Sequence, residues 1–288
     1  ALVWFKRDLR VRDHAPLAQA AGFERAIALA VIEPEWLSSP ECDPRHVAHL
    51  LTALDALRED LAALGLPLLV RTGEMTAVLG ALRAQLPFTH LLSHEETGPG
   101  WSYRRDQAVA RWCRHHGVDW REFAQTGVIR RLRSRDGWAA RWNQRMNAPE
   151  APRPRGFKAP AGVLADPLPS LGALGVHSPA VPLPPAGERA AWDTLTGFLQ
   201  TRSQAYRTTL SSPLTAAEGC SRLSVHLAFG TISMRCVHQA TAARLADAPD
   251  RSWANHLRGF AARLRWHCHF IQKLEDEAAI EHRHFART

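Results

Sequence analysis

No uninterrupted apolar run in this sequence approaches the ~20 residues that span a bilayer, and Leu2-Val3-Trp4-Phe5 runs straight into Lys6, Arg7 and Asp8. Neither a membrane helix nor a signal peptide is read here, and the cytoplasm is the expected location. The five cysteines, Cys42, Cys113, Cys220, Cys236 and Cys268, are odd in number, widely spread and never spaced Cys-x-x-Cys. That argues against a disulfide framework and against a zinc site. Glycine is missing from the turn after Phe5, which reads Lys6-Arg7-Asp8-Leu9-Arg10. A backbone cradle for a nicotinamide dinucleotide is therefore not expected after the first strand. No internal repeat is seen, and no Ser-His-Asp or Cys-His nucleophile arrangement stands out by spacing.

What is present is ample apolar material: 45% of 288 residues, with ten tryptophans, enough for two domains or one large one. The formal charge of +8 suits an acidic partner such as nucleic acid, although a solvated arginine-rich surface would give the same balance.

From residue 1 to about 128, short β-type runs (Leu2–Phe5, Ile27–Ile32, Leu68–Thr72, Leu91–His94, Val118–Phe123) alternate with helical patterns. One of these is Val47, Leu50, Leu51, Leu54, Leu57, Leu61 and Leu64 at i+3/i+4 spacing. Strands separated by helices imply a parallel sheet covered on both faces, an α/β doubly wound domain. Residues 147–187 hold ten of the nineteen prolines, which removes backbone donors and breaks helices. A connector is read over 129–187, with Trp138 and Trp142 packing on one helical face just before the proline-rich stretch. A helical region follows over 188–288, with Ser233 and Ser252 as expected N-caps.

Two segments of this helical region carry chemistry. Gly219 to Ser233 joins a turn glycine, hydroxyls at Ser221 and Ser224 and an intervening Arg222 to a short apolar helix. Such a start can aim N–H and O–H donors at an anion such as a diphosphate, while a plain capping-box-like helix start accounts for the same pattern. The helix expected over Ser252–Glu275 has two apolar faces. Trp253, Leu257, Phe260, Leu264, Ile271 and Leu274 form one, and Gly259, Arg263, Trp266 and Phe270 lie on a flank about 90–100° away. The flank could stack a flat ring or an unpaired base, or be buried in an all-helical core. His267-Cys268-His269 looks like a metal cluster, but positions i and i+2 point about 200° apart on a helix, so no metal site is expected.

Together these residues resemble the photolyase/cryptochrome family from end to end of the chain. The resemblance rests on Leu2–Arg10 with His14-Ala15-Pro16-Leu17, on Gly219–Ser233, and on Tyr206 between them. It implies an α/β N-terminal domain and an opening part of an all-α FAD-binding domain. FAD would be held by Tyr206, Cys220, Ser221, Leu223 and Ser224, with His267 beside the flavin. Phe260, Arg263, Trp266 and Phe270 would line the floor that receives a flipped pyrimidine dimer. The implied activity is light-driven repair of UV-damaged DNA by a monomer, a carbon–carbon lyase reaction, with a cryptochrome-type photoreceptor as the alternative. No catalytic residue is assigned. The stretch Glu95-Glu96-Thr97 and Trp101-Ser102-Tyr103 lies where a second, antenna chromophore of unidentified type would sit. Cys220 replaces the family's usual threonine, and Arg263 and His267 stand where many dimer-repairing members carry an acidic residue and an arginine. The family's helical domain continues past the equivalent of Thr288, so the chain reads as a piece of a longer domain, and weak or no FAD retention by the isolated piece is expected.

Overall fold

A computed structural model describes residues 1–285. Five strands, β1 (Leu2–Phe5), β2 (Ile27–Ile32), β3 (Leu68–Thr72), β4 (His90–His94) and β5 (Asp119–Phe123), form one sheet in the order β3-β2-β1-β4-β5. All four pairings are parallel. Side chains alternate across a strand, so β1 divides its apolar residues between two cores. Val3 and Phe5 face α1 (Ala15–Ala20) and α3 (Pro44–Ala62) through Leu17, Leu54, Leu57 and Leu61. A short α2 (Pro34–Leu37) lies between these two helices in sequence. Leu2 and Trp4 face α4 (Met75–Gln85) and α5 (Gly100–His116) through Leu79, Leu82, Val109 and Cys113. The sheet is therefore doubly wound, as the alternation of runs predicts, and each expected strand is present to within one residue.

A third core lies in the helices. Trp138, Trp142 and Met146 of α6 (Trp138–Asn147) pack with Leu195 and Phe198 of α7 (Gly187–Gln200), Val237 of α11 and Leu257, Phe260 and Leu264 of α12. Here α11 spans Met234–Ala246 and α12 spans Arg251–Asp276, after the short helices α8 (Tyr206–Thr209), α9 (Ala216–Gly219) and α10 (Ser224–Phe229). Ser233 caps α11 as expected, its hydroxyl accepting the Cys236 N–H at 3.0 Å. Ser252 does not cap α12. Asp250 does, accepting the Trp253 N–H at 2.8 Å, because a carboxylate two residues earlier is an equally good acceptor and brings favourable charge to the helix N-terminus.

The turn after β1 locks onto the helical region. The Leu9 N–H donates to the Phe229 carbonyl at 3.1 Å, and the buried Arg10 guanidinium donates to the Gly230 carbonyl at 3.0 Å. Asp13, itself buried, accepts from the Ser233 hydroxyl at 2.6 Å and from Arg235 at 2.8 Å. The later half of Gly219–Ser233 is thus a docking surface between the sheet domain and the helical core.

Candidate functional site

The donor segment begins where α9 ends. Cys220 is extended, Arg222 takes a left-handed φ of 59°, and α10 starts at Ser224. Arg202 lies behind this turn and donates to the carbonyls of Thr194, Cys220 and Ser221 at 3.0, 3.4 and 3.3 Å. Burial, and then the neighbouring Arg222, push the Arg202 pKa down. Two arginines near enough to influence each other, in a turn that also carries the Ser221 and Ser224 hydroxyls, make a positive, hydroxyl-bearing segment, chemistry that suits a diphosphate. Ser221 Oγ accepts the Leu223 N–H at 3.4 Å. Leu223 is buried in the helical core, so only its backbone is available to a ligand, whereas Ser224 is exposed.

Tyr206 ties this turn to α12. Its ring meets Phe198 at 5.6 Å and Phe260 at 5.5 Å, edge to face. Burial raises its phenol pKa, Cys220 adds to this, and Arg263 opposes it. Those two neighbours place the tyrosine between the donor turn and the cationic flank of α12. Phe260 is 3% exposed inside this aromatic cluster. It therefore cannot line an open lesion cavity, which corrects the sequence-based expectation: at this position the core stripe of α12 wins over the flank.

Arg263, Trp266 and Phe270 do share an outward face. Arg263 lies 5.1 Å from the Trp266 ring and Trp266 lies 6.1 Å from Phe270. Arg207 closes the N-terminal end of this flank, its side chain lying where a Cβ on Gly259 would be and its guanidinium donating to Asn255 at 3.0 Å. His267 opens into a cleft of about 320 Å³, lined by Arg7, Glu95, Thr97, Thr126 and Ser233 among others, on a side of α12 away from Trp266. The cause is helical rotation, since one residue past Trp266 turns the side chain by about 100°.

Sequence spacing missed two clusters at the carboxyl ends of the strands. The first is an ion network around Arg105 of α5, whose guanidinium reaches Glu96 at 2.6 Å, Glu33 at 2.9 Å and Asp106 at 2.9 Å. Lys6 joins it through Asp106 at 3.2 Å and Glu122 at 3.6 Å. Burial opposes ionisation of Glu96 and Asp106, yet the surrounding cations hold both pKa values below the ordinary range. Trp4, Trp36 and Trp101 wall the crevice above this network, whose enclosed volume is about 60 Å³. Ser102 spends its hydroxyl on the Pro99 carbonyl, and Tyr103 is exposed.

The second cluster is Asp8, His14 and His94, all buried, with ligand-type atoms within 4.8 Å of one another. Its composition suits a metal, but its hydrogen bonds do not. His14 Nδ1 accepts the Leu17 N–H at 3.1 Å as the N-cap of α1. A neutral ring must then carry its proton on Nε2, which faces Asp8 Oδ2 at 3.0 Å as a donor. His94 Nδ1 reaches the same oxygen at 2.7 Å. The cluster is a carboxylate held by two imidazoles.

Known proteins similar to this chain include photolyases. A sequence profile of the DNA photolyase family matches residues 1–139. The deoxyribodipyrimidine photo-lyase of Halobacterium salinarum is 32% identical over 301 residues, covering 95% of this chain and 61% of the relative. The fold is shared with a class III photolyase from Agrobacterium tumefaciens, with a TM-score of 0.81 at 22% identity over 99% of this chain and 61% of that one. It is also shared with an archaeal photolyase from Sulfolobus tokodaii crystallised with two FAD molecules, with a TM-score of 0.69 at 19% identity over 96% and 59%. The chain thus spans about three fifths of the length of each of these three proteins. The chain thus matches the DNA photolyase family over residues 1–139, is similar to a photolyase along nearly all of its length, and shares the photolyase fold.

Proposed function

We propose that this chain serves light-dependent repair of UV-induced pyrimidine dimers in DNA, as a cytoplasmic, monomeric deoxyribodipyrimidine photolyase using FAD. The observation that carries the reading is the donor turn at Cys220–Ser224, backed by Arg202 and coupled through Tyr206 to the cationic flank of α12. The serine hydroxyls and the N–H groups opening α10 would hold the diphosphate, with Tyr206 and Cys220 along the ribityl chain. When bound, reduced FAD supplies the light-excited electron that opens the dimer and recovers it afterwards. Phe260 acts from the core, setting the position of Tyr206 and of the flank. Arg263, Trp266 and Phe270 would meet DNA. A second chromophore has more room in the 320 Å³ cleft bordered by Glu95, Glu96 and Thr97 than in the 60 Å³ crevice between the tryptophans.

The test is a titration of the whole chain with FAD, followed by blue-light repair of an oligonucleotide carrying one thymine dimer. Saturable FAD binding that weakens about tenfold when Ser221 and Ser224 are both changed to Ala is the expected result, as for loss of hydrogen bonds to a charged group. No saturable binding at any concentration would sink the reading. Binding without repair would favour the photoreceptor alternative, which the cationic Arg263 keeps in view.

A further inference from the structure

We propose that the seam between the sheet domain and the helical core is an acid-released latch, opened by protonation of His49 and His226 while the parts on either side stay folded. The two imidazoles come from opposite sides of the seam, His49 from α3 and His226 from α10, and their ring centroids lie 6.4 Å apart. His49 also meets the Phe229 ring at 5.0 Å, beside the Leu9–Phe229 and Arg10–Gly230 bonds that join the β1 turn to the helices. Both rings are buried, at 2% and 1% exposure. His226 faces the Thr194 hydroxyl of α7 at 3.3 Å and the Thr231 hydroxyl at 3.1 Å. Neither nitrogen of His49 makes a hydrogen bond of good geometry, although the Pro184 carbonyl favours its charged form.

Stability alone does not explain these residues. A buried ring without a partner is costly even when neutral, and a charged one more so, whereas an apolar side chain of similar size would fill the space without that cost. The groups that bear electrostatically on the pair are imidazoles as well, His46 of α3 on His49 and His49 on His226. Thr194 of α7, Thr231 after α10 and Pro184 of the connector carry no charge. Among the described residues, then, no carboxylate compensates a proton taken up by either ring, in contrast to His14 and His94, which share Asp8. Burial, then His49, holds the His226 pKa near 4, and burial lowers that of His49. Once the seam parts, water reaches both rings and their pKa values return to the ordinary one, about 6.5. The closed form is therefore fully favoured above about pH 6.5 and loses ground as pH falls. Through His226 alone the balance moves toward the open form by about a hundredfold between about pH 7 and 4.

The latch goes beyond the proposed function and needs neither flavin, light nor DNA. The test is small-angle X-ray scattering of the whole chain from about pH 7.5 to about 4, with far-ultraviolet circular dichroism on the same samples. An expanded form that keeps its helical signal is expected below about pH 6, reverting on return to neutral pH. His49→Leu removes the unpaired ring and keeps the space filled, and should lower the midpoint of the expansion by about half a pH unit or more. Adding His226→Gln, which carries an amide in place of the ring and gains no charge, should lower it by about one unit or more. His94→Asn, inside the sheet domain, should leave that midpoint in place. The general gain of positive charge in acid is common to every variant and does not produce such a difference. Expansion that coincides with loss of the helical signal, a midpoint unmoved by His49→Leu, or one that His94→Asn moves as far would overturn the proposal. Should the double variant fail to fold at neutral pH, His49→Leu alone decides. Because the assay omits flavin and DNA, its failure leaves the FAD titration and the repair assay to decide the photolyase reading separately.

Discussion

Gly230 sits against the backbone of Arg7 so closely that a Cβ built on it would collide with the Arg7 carbonyl, and its φ of 65° lies in the left-handed region. The contact explains why Lys6–Arg10 and Phe229–Ser233, 220 residues apart, act as one unit: each motif supplies the surface on which the other closes. Gly230→Ala is expected to cost about 3 kcal/mol or more through combined strain and steric overlap. Urea denaturation checks it, and a change under 1 kcal/mol would show that the contact yields.

Removing the hub of the ion network should be equally costly. Arg105→Gln removes the cation paired with buried Glu33 and leaves Glu96 and Asp106 only their longer contacts to Arg7, Lys6 and Arg130, and a loss of about 3–5 kcal/mol is expected. Adding Glu96→Gln should recover part of it by removing one weakly compensated charge. If the double variant is no more stable than the single one, the electrostatic account fails.

Acid should unfold the protein earlier than a chain with ordinary histidines. Burial holds the His94 pKa near 3 and the His226 pKa near 4, and it lowers that of His14. Below about pH 6.5 the unfolded chain takes up protons that the folded one refuses, so stability is full above that value and falls as pH drops toward 4. Asp8 adds to the trend further down. Although burial opposes its ionisation, the two imidazoles hold its pKa well below the usual range, so its contribution is present above about pH 4 and lost below. Melting temperature against pH should decline across this window, and His94→Asn should shift the decline to lower pH. A flat profile from pH 7 to 4 would count against the buried-histidine account.

The start of α12 separates two readings of its cap. Asp250→Ala should lower stability by about 1 kcal/mol, while Ser252→Ala, on an exposed side chain, should change it by less than about 0.5 kcal/mol. Reversed magnitudes in a thermal melt would return the cap to Ser252.

Gln272 tests how α12 is held. Wholly buried, it accepts from the Ile129 N–H at 2.7 Å and from the Trp138 indole at 3.1 Å, and donates to the Ile129 carbonyl at 2.9 Å. Gln272→Leu leaves two donors and an acceptor unpaired in the core, and a loss of about 2–4 kcal/mol is expected by denaturant titration. A neutral effect would mean that water replaces the amide.

Local periodicity determined a large part of this protein. The five strand runs, the stripe of α3 and the two-faced α12 are written in residues a few positions apart, as are the donor turn at Cys220–Ser224 and the anchoring Ser233. Helical spacing also showed correctly that Arg263, Trp266 and Phe270 share a face. It could not show what each face meets. Burial of Phe260 between Phe198 and Tyr206, and the turn of His267 toward the Glu95 side, depend on how α12 is rotated against α7 and the sheet domain. Only the tertiary structure decided the Asp8–His14–His94 cluster, because the parallel pairing of Trp4 with Ser93 sets the ends of β1 and β4 side by side. The Arg105 network and the Arg7–Gly230 contact arise likewise, from groups that no sequence interval relates until sheet register and helix docking bring them within hydrogen-bond range.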